Sequence, residues 1–301
     1  MSTSDTRIVV VGSVNADLHL TVDRLPAAGA TVLADHTRWL PGGKGANQAA
    51  AAARLGAAVS LVAAVGDDAT ADVALGGLAE TGVTLDHVRR IPDTATGVAV
   101  VCVDAAGENL IVVSPGANAA LGSADVVLGA GCAAVLVSLE IPTATAGTAL
   151  AGAHQAGALA VLNAAPADRV TPALLAAADI LVANAGEAAA LAAEHDGDLA
   201  ALARAAGTTV VATAGGDAVR AVAPDGTEHV VAARTVEVVD TVGAGDCFAA
   251  ALTVALVEHA EMDQALRFAA AAAGLKVGRL GARSVPTRSD VETFLAAAPL
   301  A

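Results

Sequence analysis

Aromatic residues are almost missing from this chain of 301 residues, which has no tyrosine, one tryptophan and three phenylalanines. A site that recognises its ligand by stacking on rings has few to draw on, and Phe248, Phe268 and Phe294 all fall in C-terminal helical segments. Cysteine is equally sparse: Cys102, Cys132 and Cys247 are odd in number, scattered and without metal-ligand spacing. That argues against a disulfide framework and for a reducing cytoplasm. Basic residues number 16 against 31 acidic ones, a net charge of −15. Such a surface disfavours nonspecific nucleic-acid binding and attraction to anionic lipid. No apolar run is long and pure enough to span a membrane, and the start MSTSDTRIVVVG lacks a basic region followed by an apolar one. The expectation is a soluble protein with no nucleic-acid or membrane partner.

What is present is material for a large core: 55% hydrophobic and 16% charged residues. Arg7 to Gly12 reads as a buried strand ending in a polar loop, SVNAD. Lys44 to Leu55 reads as an alanine-rich helix stopped by Gly56. From Val59 onward strand-like and helical runs alternate, which predicts a mostly parallel sheet covered on both faces by helices. Leu18–Val22, Thr31–Trp39 and a Val98–Val113 hairpin turning at AAGEN break that alternation and read as a separate small sheet laid over the main one. In such architectures ligands sit beyond the carboxyl ends of the strands. Polar clusters stand at five of these ends: SVNAD, Glu140, Asn163, Asn184 and TAGGD. Each alone is ordinary turn chemistry; five at one face point to a site.

The stretch VVDTVGAGDCF, starting at Val238, reads as a strand-like run, a glycine turn and a helix start. Asp246 there has a structural reading, as a cap meeting the helix dipole. The same turn leaves backbone N–H groups free to hold an anion. A carboxylate beside an anion site makes sense if it takes a proton from a hydroxyl attacking phosphorus; a near-normal pKa would suffice for that. Two other motifs fail. GGKGAN is no Walker A loop, because Arg38 stands where its first glycine belongs and Gly45 where Ser or Thr should follow Lys44. GAGDCF is no dinucleotide fingerprint, since Phe248 holds the third glycine position.

SVNAD, PGGKGANQA from Pro41, LEIP from Leu139, NAGE from Asn184, TAGGD from Thr213, DTVGAGD from Asp240 and GARSVP from Gly281 together resemble the ribokinase branch of the PfkB carbohydrate kinase family, in order and separation, over nearly the whole chain. The resemblance implies a ribokinase-like α/β fold of three layers, α/β/α, spanning 1–301 as one kinase domain, with a small β-sheet lid from about 17–40 and 96–114. It makes Asp246 the catalytic base and Gly243, Ala244, Gly245 and Asp246 the anion hole. The sugar falls to Asn15, Asp17, Gly42, Gly43, Lys44, Gly45, Asn47 and Glu140; carboxylates and amides suit a polyol whose hydroxyls donate and accept together.

On the nucleotide side the resemblance assigns ATP and Mg²⁺ to Asn184 and Glu187, and the phosphate and ribose flank to Thr213, Ala214, Gly215, Gly216, Asp217 and Ala218, with Ala270 near adenine. Ala218 and Ala270 depart from the family pattern, which bears on adenine selectivity. Asp240, the carbonyls of Val242, Lys276, Arg279 and Gly281, and the Ser284 hydroxyl align with a monovalent-cation site suited to K⁺, although one residue is deleted before Ser284. Relatives in the family act on ribose, other sugars or adenosine. With so few rings, only Trp39 lying near the sugar loops, D-ribose is the expected substrate, phosphorylated at O5. Deoxyribose, fructose or nucleoside kinases, and a sugar-binding regulator without catalysis, are the alternatives. Apolar residues on both faces of VAVVCV and LIVV predict a homodimer through the lid. Cys247, next to the base, has two readings: a thiol activated by the helix dipole, or an inert buried residue.

Overall fold

The computed structural model describes residues 7–297. Strand β1 (Arg7–Val11) is followed by β2 (Asn15–Val22), β3 (Ala34–Gly42), helix α1 (Lys44–Arg54), β4 (Ala58–Gly66), α2 (Ala69–Leu75), β5 (Val83–Thr84) and β6 (Val88–Ile91). Next come β7 (Gly97–Val103), β8 (Asn109–Ser114), β9 (Cys132–Ser138), α3 (Thr143–Gln155), β10 (Leu159–Asn163) and α4 (Pro172–Ala176). The C-terminal half adds β11 (Ile180–Asn184), α5 (Ala185–Ala192), α6 (Leu199–Ala206), β12 (Thr209–Thr213), β13 (Val219–Val222) and β14 (Glu228–Val231). Helices α7 (Ala244–Val257), α8 (Met262–Val277) and α9 (Arg288–Ala296) complete it.

The large sheet runs β14-β13-β12-β11-β10-β9-β1-β4-β5, with β6 also on β4. From β12 to β4 every pairing is parallel; the β13–β14 hairpin adds an antiparallel edge. Alternate residues of a strand point to opposite faces, and in β1 both sets are apolar. Ile8 and Val10 join the core under α1, α7 and α8, whereas Val9 and Val11 join the core under α3, α5 and α6. This double burial explains why the central strands read as continuous apolar runs. The small sheet, β3-β2-β7-β8, stands apart.

Three sequence expectations change. The polar stretch SVNAD is not all loop: Asn15 and Asp17 belong to β2, which pairs with both β3 and β7. Strand β3 starts at Ala34 rather than Thr31 and reaches Gly42. Val238 and Val239 form no strand; they lie in an irregular segment, more than half exposed. Their β-branched side chains mimic a strand, but no neighbouring strand offers its edge there. The β13–β14 hairpin, whose strands are only four residues each, is too short for its pattern to stand out in the sequence.

Candidate active site

Because β1, β9, β10, β11 and β12 are parallel neighbours, their carboxyl ends lie along one edge of the sheet. Ser13, Glu140, Asn163, Asn184 and Thr213 stand at those five ends, as the sequence pattern predicts. Helices α1 and α7 start beside them. Both are alanine-rich, Ala49–Ala52 and Ala249–Ala251 being fully buried, so the two can pack closely. Close packing brings side chains from the first turn of each into contact. Asn47 Nδ2 donates to Asp246 Oδ2 at 3.0 Å, and Gln48 Nε2 to Oδ1 at 3.1 Å.

Asp246 therefore does not cap its helix. The N-cap is Gly43 for α1 and Gly243 for α7, and neither helix has a side-chain cap. The Gly245 and Asp246 amides thus open α7 without an intrahelical partner, which is an anion cradle. Gly243 has φ 79°, and a Cβ there would lie 2.7 Å from the Ala282 carbonyl oxygen, so only glycine fits. Burial raises the Asp246 pKa, opposed by the Lys44 ammonium and the Asn47 hydrogen bond. Its value thus lies above the near-normal one that would already suffice. A buried carboxylate is a stronger proton acceptor once ionised, and Lys44 favours ionisation. The Lys44 pKa is raised in turn, chiefly by Asp246.

On the sugar side, Asp17 lies against Gly42, where any Cβ would collide with its carboxylate. Its Oδ1 is buried and has no hydrogen-bond partner. Burial, reinforced by Glu140 and opposed by the Arg283 guanidinium, pushes its pKa up to about 7. Asn15 Oδ1 accepts from Asn118 Nδ2 at 2.7 Å. Glu140 accepts from the Ser13 hydroxyl and, at 3.4 Å, from the Lys44 amide. Gly43 has φ 88°, and a Cβ there would lie 2.7 Å from the Asn15 amide nitrogen. Gly45 packs as tightly on Gly12.

Beyond Asp246 opens a cavity of about 620 Å³ lined by Lys44, Asn184, Glu187, Thr213 and the Gly243–Asp246 turn. Ala214, Gly215, Gly216 and Ala270 also face it, as does Phe248. Asp217 and Ala218, assigned there from the sequence, do not line it; the Asp217 amide closes a turn onto Ala214 instead. Asn184 and Glu187 cap α5 reciprocally, at 2.8 and 2.9 Å, which commits one oxygen of each.

Sequence reading assigned no role to Gln48, Asn118 or Arg283. The Arg283 guanidinium reaches the carbonyls of Gly42, Ala74 and Gly76 at 2.7–2.9 Å and Asn47 Oδ1 at 3.3 Å. It thereby ties the β3–α1 junction to the end of α2 and orients the amide that holds Asp246. Cys247 is fully buried, and burial together with the Asp246 carboxylate pushes its thiol up to about 12. Of the two readings, the inert one fits this environment.

The monovalent-cation expectation meets an obstacle. Lys276 is fully buried, and its own ammonium donates to the carbonyls of Asp240 and Arg279, two residues to which the resemblance assigns the ion. The donor set does not fit potassium as it stands.

Residues 5–288 match the family described as pfkB family carbohydrate kinase. The chain belongs to that family. Ribokinase of Bacillus subtilis is 39% identical over 295 residues, covering 96% of this chain and 99% of the relative. A crystal structure of ribokinase from Thermotoga maritima superposes with a TM-score of 0.86 at 32% identity, covering 96% of this chain and 99% of the other. The structure of Arabidopsis thaliana ribokinase complexed with ribose and ATP also gives 0.86, at 33% identity and 96% and 98% coverage. The fold is ribokinase-like. Within this PfkB chain, the motifs that carry the resemblance converge on Asp246 from both sides.

Proposed function

We propose that this protein transfers the γ-phosphoryl group of ATP to the O5 hydroxyl of D-ribose, yielding D-ribose 5-phosphate and ADP. The observation that carries the reading is the placement of Asp246. Its carboxylate is held by Asn47 and Gln48 beside free turn amides, with the 620 Å³ cavity on one side and the unpartnered Asp17 oxygen toward the other. Full-length relatives named ribokinase, one solved with ribose and ATP, support the choice of substrates.

Phosphoryl transfer asks for positioning and charge stabilisation rather than covalent participation. Asp17 Oδ1 accepts a hydrogen bond from a sugar hydroxyl, and Asn15, turned by Asn118, and Asn47 fix the orientation of the sugar. Asp246 accepts the O5 proton as the bond to phosphorus forms. The Gly245 and Asp246 amides and Lys44 take the charge on the transferring oxygens, whereas the Ala244 amide, expected from the sequence to join them, is held by the Thr241 carbonyl at 3.1 Å. Bound ATP and Mg²⁺ supply the phosphoryl group and its counter-charge. Among the described residues no group of three or more His, Cys, Asp or Glu forms a metal cluster; Glu187 and Asn184 would therefore act through water and phosphate oxygens, as magnesium permits.

The chain acts as one kinase domain, with strands from about 17–40 and 96–114 as the lid. In β8, Leu110, Ile111, Val112 and Val113 are 40–58% exposed, an apolar row that a second lid in a homodimer would cover. The cytoplasm is the proposed location. Among the described residues no helix is long and apolar enough to cross a membrane. Coupled ATP-consumption assays over ribose, deoxyribose, fructose and adenosine test the reading. Ribose should give the highest kcat/KM; a better substrate among the others, or turnover with none, overturns it. Sedimentation as a monodisperse monomer at micromolar concentration would remove the dimer.

A further inference from the structure

Of the 16 basic residues only two are lysines, Lys44 and Lys276. One faces the reaction; the other lies behind it. Lys276 sits in the last turn of α8 with no exposed surface. Its Nζ donates to the Asp240 carbonyl at 2.9 Å and to the Arg279 carbonyl at 3.4 Å, and lies 3.9 Å from the Asp240 carboxylate. The other oxygens of the expected ion site are largely committed. The Lys276 carbonyl accepts the Gly278 and Arg279 amides, the Gly281 carbonyl accepts Ser284 N–H at 3.1 Å, and the Asp240 carboxylate accepts the Val242 and Gly281 amides at 2.9 and 2.7 Å. A compact ammonium on a flexible stem can stand among carbonyls as a small ion does, whereas a planar guanidinium cannot.

This group is coupled to the anion cradle through backbone. The Val242 amide that binds Asp240 immediately precedes Gly243, and Ala282, beyond the Arg279 and Gly281 contacts, packs so closely on Gly243 that no Cβ would fit between them. Whatever fixes Asp240 and the 279–282 loop therefore fixes the turn. We propose that the Lys276 ammonium is a built-in monovalent cation, taking the place of potassium behind the Gly243–Asp246 turn and freeing phosphoryl transfer from a potassium requirement. The inference rests on the phosphoryl-transfer reading above for its catalytic consequence, not for the site itself. Lys276 is a positioning residue, since it touches no reacting atom.

The simpler role, a cation closing a helix C-terminus, gives different results in one experiment with three arms. Wild-type turnover of ribose in potassium chloride and in tetramethylammonium chloride at equal ionic strength should agree within about twofold; activation by potassium of about fivefold or more overturns the proposal. Lys276→Ala should lose about tenfold or more of kcat in tetramethylammonium and recover on adding potassium, with sugar KM little changed. Recovery is the signature, because a mere helix cap would not be replaced by a dissolved ion. The third arm needs no substrate: potassium, or thallium(I) as its probe, should raise the Tm of Lys276→Ala and leave that of wild type unmoved. A saturable thallium response in wild type, or none in the variant, overturns the proposal. Should Lys276→Ala fail to fold, Lys276→Met with the wild-type salt and thallium arms still decides. If no salt supports ribose turnover, the substrate reading fails while the thermal arm still judges Lys276.

Discussion

The two ends of the site are built by different means. The phosphate end is made of core: α1 and α7 pack through alanines, the cradle is backbone, and both carboxylate oxygens of Asp246, the proposed base, have a donor. The sugar end is finished by an edge sheet whose strand β8 is exposed throughout and whose principal carboxylate keeps an unpartnered oxygen. Chemistry common to all substrates thus rests on rigid, prepaid geometry, and recognition of one substrate is left to groups that become satisfied only on binding. Electrostatic preorganisation works best where nothing has to move at the moment of reaction. A polar atom left without a partner, by contrast, discriminates against any ligand that fails to pair with it.

The sharpest break of that contrast is at the base. Asp246→Asn keeps the shape and both neighbours but cannot take a proton, so kcat should fall on the order of 10²–10⁴-fold. Sugar and ATP affinity, read by calorimetry, should change little. Near-full kcat would show that the phosphate end works by positioning alone.

Arg283 is where the two ends meet, and its loss should be felt at both. Its loss removes four hydrogen bonds at once, taking a donor from the carbonyls of Gly42, Ala74 and Gly76 and the guide from Asn47. Arg283→Met should lower kcat/KM by about 10–10²-fold, with a fall in Tm of several degrees. Arg283→Lys should rescue little, because an ammonium cannot span the fork. Full activity in Arg283→Lys would reduce the residue to a point charge.

How much of this was legible in the sequence follows the same division. The cradle, the base and the five polar strand ends are local in sequence, where turn residues and apolar runs carry the signal, and the structure brings them together as expected. Gln48 and Arg283 owe their roles to partners up to 241 positions away, which no spacing reveals. Val238 and Val239 show the opposite failure: strand-forming side chains in a segment with no strand to pair. Whether Lys276 lends a carbonyl or an ammonium to its loop depends on a side-chain path that only packing determines.

The sugar end should be the pH-sensitive one. Asp17 titrates at about 7 instead of 3.8 because burial and Glu140 disfavour its charge. The sign follows: the fold prefers the protonated form, so this contribution to stability is complete below pH 3.8 and is lost as pH rises through about 7. Ribose, which donates to the ionised carboxylate, should bind better over that rise, so its KM should fall between about pH 6 and 8. Asp17→Asn should raise KM by about 10–10²-fold, the scale of a hydrogen bond to a charged group, and flatten its pH profile. An unchanged profile would assign the titration elsewhere.

The smallest expected effect is none, and it separates the two ends by access alone. Cys247 follows the base at the start of α7, where the helix dipole favours a thiolate. Burial opposes it and prevails: the side chain has no exposed surface and its thiol is pushed up to about 12, with the Asp246 carboxylate adding to the shift. Cys102, on strand β7 of the small sheet, is only partly buried. A small alkylating reagent at neutral pH should therefore label Cys102 and leave Cys247 untouched, as peptide mass mapping would show, while kinase activity stays within about twofold of untreated protein. Cys247→Ser should match wild type in its response to the reagent, with and without ATP. Activity lost in step with Cys247 labelling, and protected by ATP, would mean that the phosphate end opens to solvent and is less rigid than its packing implies.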